Sequence, residues 1–421
     1  MSSCTDYYAT RRRFFTQFAG TAALLGMPIN RLVAAIGSAH APKAESVVLF
    51  WNGGGMSHID TWDPKPGRET GGDFEPIKTS ADGIQISEIF PQLAKQMHHC
   101  SIIRSIAGTN GDHGRATYEL QTSYPQNPAL VHPGMGSFVV NESQKNGDLP
   151  AYISIGGMAP RAGYLGQRCE AYYIGLPGER DPYLAFPDGI HREQGDRRLQ
   201  ILAKMNLRAS DKIAARDLKE TDVALKDAVA LMKSPALASF DLDKENPKTL
   251  ERYGLTEFGR GTLLAKKLVE TGVRFVQVNR GGFDNHMDVF PAMRNHGSVM
   301  DPAVASLIED LAASGRLEKT LVIMLSEFGR TPKINKDAGR DHHARVFSCF
   351  LAGGGVKGGQ VIGSSDKDGN EPADRPVQVA DIHASVCHAL GIDFKRELTT
   401  PLGRPMKLVK EGAKPVMELF G

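Results

Sequence analysis

The sequence has few cysteines, and none of them is paired along the chain. There are five in 421 residues, at positions 4, 100, 169, 349 and 387, and no two form a C-x-x-C motif. Thiolate zinc sites and disulfide-built scaffolds both depend on clustered cysteines. This spacing argues against both, although a single disulfide in an oxidising compartment is still open.

Excess charge and internal repeats are also lacking. The 50 basic and 48 acidic residues are spread along the chain and leave a net charge of +2. A nucleic-acid surface would need a concentrated basic patch, so we expect no nucleic-acid partner. With 421 residues and 41% hydrophobic side chains, the chain can form one large α/β domain or two smaller ones.

The N-terminus carries an export signal. Residues 10–15 read TRRRFF, residues 18–28 are moderately apolar, and a small-x-small pattern ends at Ala41. We predict a twin-arginine signal peptide over residues 1–41, and hence a periplasmic or extracellular protein. A membrane anchor is the alternative reading. Asn30 and Arg31 follow the apolar stretch and leave it too short to span a bilayer, so we expect no stable span after cleavage.

Strand and helix patterns alternate in the rest of the chain. We predict a domain over residues 45–421, with a loop-rich and helical insertion around residues 156–250. Apolar runs predict strands at Ser46–Trp51, Val273–Val278, Thr320–Leu325 and Phe347–Leu351, and helical periodicity predicts helices at Ser87–Met97, Glu257–Thr271, Asp301–Ser314 and Val379–Leu390. This alternation predicts an α/β fold whose mostly parallel sheet has helices on both faces.

Carboxylates and imidazoles follow three of these strands. They form the groups His58 with Asp60, Asp284 with His286, and Glu327 with His342 and His343. Ligands of open α/β sheets bind beyond the carboxyl ends of the strands, so we predict a metal site here. Nitrogen and oxygen donors without thiolate favour zinc, with manganese or iron as alternatives. We expect one or two ions, of which two could clamp the attacking and leaving oxygens of an ester.

Two adjacent histidines cannot both face one site in an extended segment. Side chains of successive residues in a strand point to opposite sides, so we expect one of His342 and His343 to bind metal and the other to pack.

Further candidates lie near the predicted site. Asp112 and His113 begin a probable helix, where an anion could bind or where Asp112 could be only an N-cap. Arg115 and Arg330 could hold anionic oxygens by paired hydrogen bonds, although each could equally form a surface ion pair.

Six motifs occur in an order that resembles a known family. They are HIDTWDPKP, GDHGRATYELQTS, GVRFVQVN, SEFGRTPKIN, GRDHH and LAGGGVKGGQVIG. Together they resemble the domain-of-unknown-function family DUF1501 of the sulfatase and alkaline phosphatase superfamily. The resemblance implies an alkaline phosphatase-like fold and a hydrolase of sulfate or phosphate esters. Its implied partner is an anionic ester, with sulfated or phosphorylated polysaccharide as one candidate.

The resemblance also implies roles for several residues, with departures. Asp284, His286 and one of His342 and His343 would form one metal site. Glu327 keeps a carboxylate that the superfamily uses, but Phe328 replaces an imidazole. A metal-binding aspartate of the superfamily falls near Asn52 or Gly53, so that His58 or Asp60 would have to substitute.

The largest departure is His113, which stands where the superfamily has its nucleophile. Histidine can be a ligand, a base or a nucleophile, but it cannot become formylglycine. We therefore expect attack by metal-activated water, with His113, Arg115 and Arg330 as catalytic residues. The alternative is a non-catalytic member that binds metal or an anionic glycan.

The export signal can be tested by changing Arg11, Arg12 and Arg13 together to lysine, which preserves charge. Because the twin-arginine pathway reads the guanidinium pair itself, we expect the precursor to stay in the cytoplasm, as measured by fractionation and immunoblotting. The matched control is Arg31→Lys. Normal export of the triple variant would contradict the prediction.

Overall fold

The computed structural model describes residues 41–143, 148–178, 191–209 and 230–420. All but the last residue of the predicted signal peptide lie outside these ranges, as does part of the predicted insertion. Within them, Cys100, Cys169, Cys349 and Cys387 are free thiols. No helix of the described residues is both long and apolar enough to cross a membrane.

A nine-stranded sheet forms the centre of the fold. Its strands in chain order are β1 Ser46–Asn52, β2 Cys100–Ala107, β3 Tyr152–Ile155, β4 Tyr172–Ile174, β5 Phe275–Arg280, β6 Thr320–Leu325, β7 Phe347–Ala352, β8 Gln360–Ile362 and β9 Val377–Gln378. Their spatial order is β8-β2-β7-β6-β1-β5-β3-β4, and β9 also pairs with β2. Only β7 runs antiparallel to its neighbours, so the prediction of a mostly parallel sheet is confirmed.

Helices cover both faces of the sheet. The α-helices of the described residues are α1 Pro91–Ala94, α2 His113–Thr122, α3 Met135–Glu142, α4 Arg192–Ala209, α5 Pro247–Tyr253, α6 Glu257–Glu270, α7 Val289–Ala313 and α8 Val379–Leu390. Alternate side chains of β1 enter two cores: Val48 and Phe50 pack with α6 and α7, and Val47 and Leu49 with α3 and α8. The alternation follows from the two-residue repeat of a strand.

Two helix predictions were wrong in their bounds. Only Pro91–Ala94 of the predicted helix Ser87–Met97 is α-helical, and a short 3₁₀ turn follows at Met97–His99. The predicted helix Asp301–Ser314 instead begins at Val289 and contains Pro302 in its interior. Proline is common in the first turn of a helix, so a proline inside a longer helix resembles a helix start in the sequence. The preceding turns are helical because their apolar side chains are buried against the core.

Beyond β6 the chain forms a small ribbon that crosses the carboxyl edge of the sheet. Gly329–Arg330 pairs antiparallel with His342–His343. Arg340 anchors the ribbon to the segment after β1, because its Nε and Nη2 donate to Asp60 over 2.8 and 3.0 Å. Both of these side chains are fully buried.

Asp60→Ala should destabilise the fold strongly. It leaves the buried Arg340 cation without a counter-charge, which typically costs about 3–5 kcal/mol. Urea unfolding would measure the change. The control, Asp368→Ala, breaks the exposed pair with Arg68 and should cost at most about 1 kcal/mol. Equal stabilities of the two variants would contradict the prediction.

Candidate metal site

The carboxyl ends of β1, β2, β5 and β6 meet at one edge of the sheet. The turn after β2 leads into α2, which begins at His113, and Asp112 caps it by accepting from the Arg115 amide at 3.0 Å. The segment after β5 carries Asp284 and His286, and Glu327 follows β6. The ribbon returns His342 to the same place. Separate chain segments therefore contribute one cluster of side chains.

Three imidazoles of this cluster share one hydrogen-bond pattern. The Nδ1 atom of His113 lies 2.9 Å from Glu327 Oε1, that of His286 lies 2.7 Å from Asp341 Oδ1, and that of His342 lies 2.7 Å from the Gly111 carbonyl. Each of these oxygens is an acceptor, so Nδ1 must carry the proton. In the neutral ring this leaves Nε2 with a free lone pair.

These Nε2 atoms converge on the carboxylate of Asp284. His342 and His286 lie 3.2 and 3.1 Å from Oδ1, and His113 lies 3.3 Å from Oδ2. The Nε2 atoms of His286 and His342 are only 3.1 Å apart. His113 Nε2 is buried and has no hydrogen-bond partner among the described residues. Lone pairs that face each other and a carboxylate repel unless a cation lies between them.

The same donor set fits a divalent metal ion. Ligand atoms of His113, Asp284 and His342 all lie within 4.8 Å of one another. Metal-binding histidines usually donate the other ring N–H to a carboxylate or a backbone carbonyl, as all three imidazoles do here. Two imidazoles and a carboxylate favour zinc among the common ions. We assign these three residues as candidate ligands, with His286 beside them.

The buried Arg330 forms an ion pair with Asp284. Its guanidinium is 1% exposed and contacts Asp284 Oδ1 and the Gly54 carbonyl through Nη2. It also donates to the carbonyls of Gly55 at 2.9 Å and Arg340 at 3.0 Å. Partial burial alone would raise the pKa of Asp284, but the hydrogen bond and the charge of Arg330 hold it below its ordinary value. Asp284 is therefore a carboxylate at neutral pH.

Glu327 contacts the cluster through His113. Its Oε1 accepts from the Gly54 amide at 2.7 Å as well as from His113, and its side chain is 2% exposed. The sequence predicted Glu327 as a ligand. The structure places it as the acceptor that orients His113.

Other predicted ligands lie away from the cluster. His58 donates through Nε2 to the Gly369 carbonyl at 2.9 Å, and burial lowers its pKa to about 4. His343 bonds the next carbonyl, that of Asn370, at 2.7 Å, and its ring stacks with His58. Asp60 is occupied by Arg340. Of the two adjacent histidines, the structure turns His342 into the cluster and His343 away from it.

Arg115 and Asp341 lie at the margin of the cluster in the sequence motifs that contribute to it. Arg115 is exposed in the first turn of α2. Asp341, which orients His286, was not among the predicted site residues. Its only sequence signal was its place in the GRDHH motif, directly before the two histidines.

These observations define the class as an α/β protein with a mostly parallel sheet and a candidate metal site at its carboxyl edge. The chain belongs to the family described as protein of unknown function (DUF1501), whose model matches residues 44–420. The predicted family is thereby confirmed. Among proteins with curated descriptions, none matches this sequence.

Several solved structures are similar to the chain. The structure titled Ps i-CgsB is 13% identical with a TM-score of 0.41, and the similarity covers 83% of this chain and 72% of that one. The PsFucS1 sulfatase from Pseudoalteromonas sp. is 14% identical with a TM-score of 0.35, and the similarity covers 87% of this chain and 72% of that one. The C-terminal periplasmic domain of EcEptC from Escherichia coli, in complex with Zn, is 10% identical with a TM-score of 0.37. The similarity covers 91% of this chain and 97% of that one. All three TM-scores are below 0.5.

Glu327→Gln should weaken zinc binding. Loss of an orienting carboxylate behind a ligand histidine typically costs about 10–100-fold in metal affinity. Competition with a chromophoric chelator would measure this, with Glu371→Gln as the control, since Glu371 is exposed and pairs with Arg345. Unchanged affinity in Glu327→Gln would remove Glu327 from the site.

Proposed function

We propose that this protein is an exported, metal-dependent hydrolase of sulfate or phosphate esters. The observation that carries the proposal is the convergence of His113, His286 and His342 on Asp284, with each Nδ1 held by an oxygen acceptor. Such preorganisation is what a cation site needs, because the rings cannot rotate away when the cation binds.

The ligand set of His113, Asp284 and His342 favours zinc, with manganese or iron as alternatives. A divalent ion held there would supply positive charge to an ester oxygen and lower the pKa of a water molecule. The side chains of Asp284 and His286 are 47% and 44% exposed, so a substrate can approach from solvent.

The first turn of α2 provides a place for the anionic part of the ester. His113 is its first residue, and the positive end of the helix dipole therefore lies beside the ligands. Arg115 is exposed in the same turn and can pair with a sulfate or phosphate oxygen. Arg330 cannot take this role as it stands, because its donors already bond Asp284 and three carbonyls.

Water is the proposed nucleophile. The hydroxyl of Ser326, directly after β6, is buried and donates to the Asn52 carbonyl at 2.6 Å. His286 keeps a lone pair on Nε2, and Asp341 fixes its ring and would stabilise its protonated form. We therefore assign His286 as the residue that accepts a proton from the attacking water. Sulfated or phosphorylated polysaccharides are the candidate substrates, since export would place the enzyme among them.

The test is turnover of nitrophenyl sulfate and nitrophenyl phosphate by the purified protein. We expect chelation to abolish turnover, zinc or manganese to restore it, and His113→Ala to lower kcat/KM by at least about 100-fold. The control is His98→Ala, because His98 is exposed and bonds Ser80 rather than any residue of the cluster. No bound metal and no turnover on a broader ester panel would refute the proposal. Bound metal without turnover would identify a non-catalytic binding protein instead.

A further inference from the structure

We propose that the metal site takes a single divalent ion, because the buried guanidinium of Arg330 supplies the positive charge that a second ion would bring. This inference rests on the proposed metal site and concerns how many ions it holds.

Arg330 is built into the site as a fixed cation. Three backbone carbonyls, those of Gly54, Gly55 and Arg340, accept its hydrogen bonds, and its fourth partner is Asp284. Carbonyl and carboxylate oxygens are also the ligands that a hard metal ion would use. The guanidinium of Arg330 thus occupies a position that is lined by these four oxygens and that a second metal ion would otherwise take.

The charges of the site balance with one ion. Asp284, Glu327 and Asp341 bring three negative charges, and Arg330 returns one positive charge. The imidazoles are neutral when each Nδ1 donates a proton and each Nε2 keeps a lone pair. One divalent ion cancels the remaining two negative charges. A second would leave excess positive charge in a partly buried site, which is unfavourable.

The side of the site next to the glycine turn after β1 has no room for a second ion. A Cβ atom on Gly55 would lie 2.5 Å from the ring of Phe328 and 3.2 Å from Arg330 Nε. One on Gly54 would lie 2.6 Å from the backbone nitrogen of Asp284. Phe328 is fully buried and its ring contacts those of His113 and His342, with centroids 4.9 and 4.8 Å apart. The phenyl ring supplies no ligand, so the turn, the ring and the guanidinium close this side.

The experiment measures zinc stoichiometry on the stripped, full-length protein by elemental analysis and calorimetric titration. The wild type should bind one equivalent, and Arg330→Lys should also bind one because it keeps the charge. Arg330→Met removes the charge and frees Asp284 Oδ1, so we expect it to take up a second equivalent. The control is Arg345→Met, an exposed arginine of the same segment, which should bind one.

The outcomes separate this inference from the proposed function. Two equivalents on the wild type would overturn the single-ion inference while leaving the metal site in place. A single equivalent on folded Arg330→Met would show that Arg330 does not limit the stoichiometry, and would also overturn it. No zinc on the wild type would refute the assignment of zinc, and no binding of zinc, manganese or iron would refute the metal site itself. If Arg330→Met does not fold, the wild-type stoichiometry still decides whether the site takes one ion or two.

Discussion

The contact between Arg330 and Asp284 is the interaction on which the site depends. It joins the segment after β6 to the segment after β5, and other donors of Arg330 bond the glycine turn after β1 and the Arg340 carbonyl. A buried guanidinium is costly unless its donors are satisfied, and here they meet four oxygens. Three strand ends are thereby held in one arrangement, and Asp284 stays ionised where the imidazoles converge.

The imidazoles depend on acceptors from other segments. Glu327 follows β6, Gly111 precedes α2, and Asp341 lies directly before the second strand of the ribbon. Each acceptor fixes one ring by its Nδ1 proton, which sets the tautomer as well as the orientation. The proposed chemistry follows from this arrangement: the Nε2 lone pairs need a cation, and the open side of the cluster admits an ester.

Much of the fold could be predicted because the strands are apolar runs covered on both faces. The bounds of Thr320–Leu325 and Val379–Leu390 agree with the structure. The helix α7 was harder, because Pro302 resembles a helix start and only tertiary burial keeps the preceding turns helical. Asp284, His286, His342 and His113 could be selected because strand ends of a parallel sheet meet at one edge.

The sequence by itself determined the sheet, the edge that carries the polar residues, and the absence of thiolate from that set. Only the tertiary structure decided which polar residues face one another. His58, Asp60 and His343 share the same sequence signal but are bonded to Gly369, Arg340 and Asn370. Arg330 likewise proved to be a buried counter-charge. Side-chain direction at a strand end depends on long-range partners, and no local pattern encodes which carbonyl or guanidinium the chain brings there.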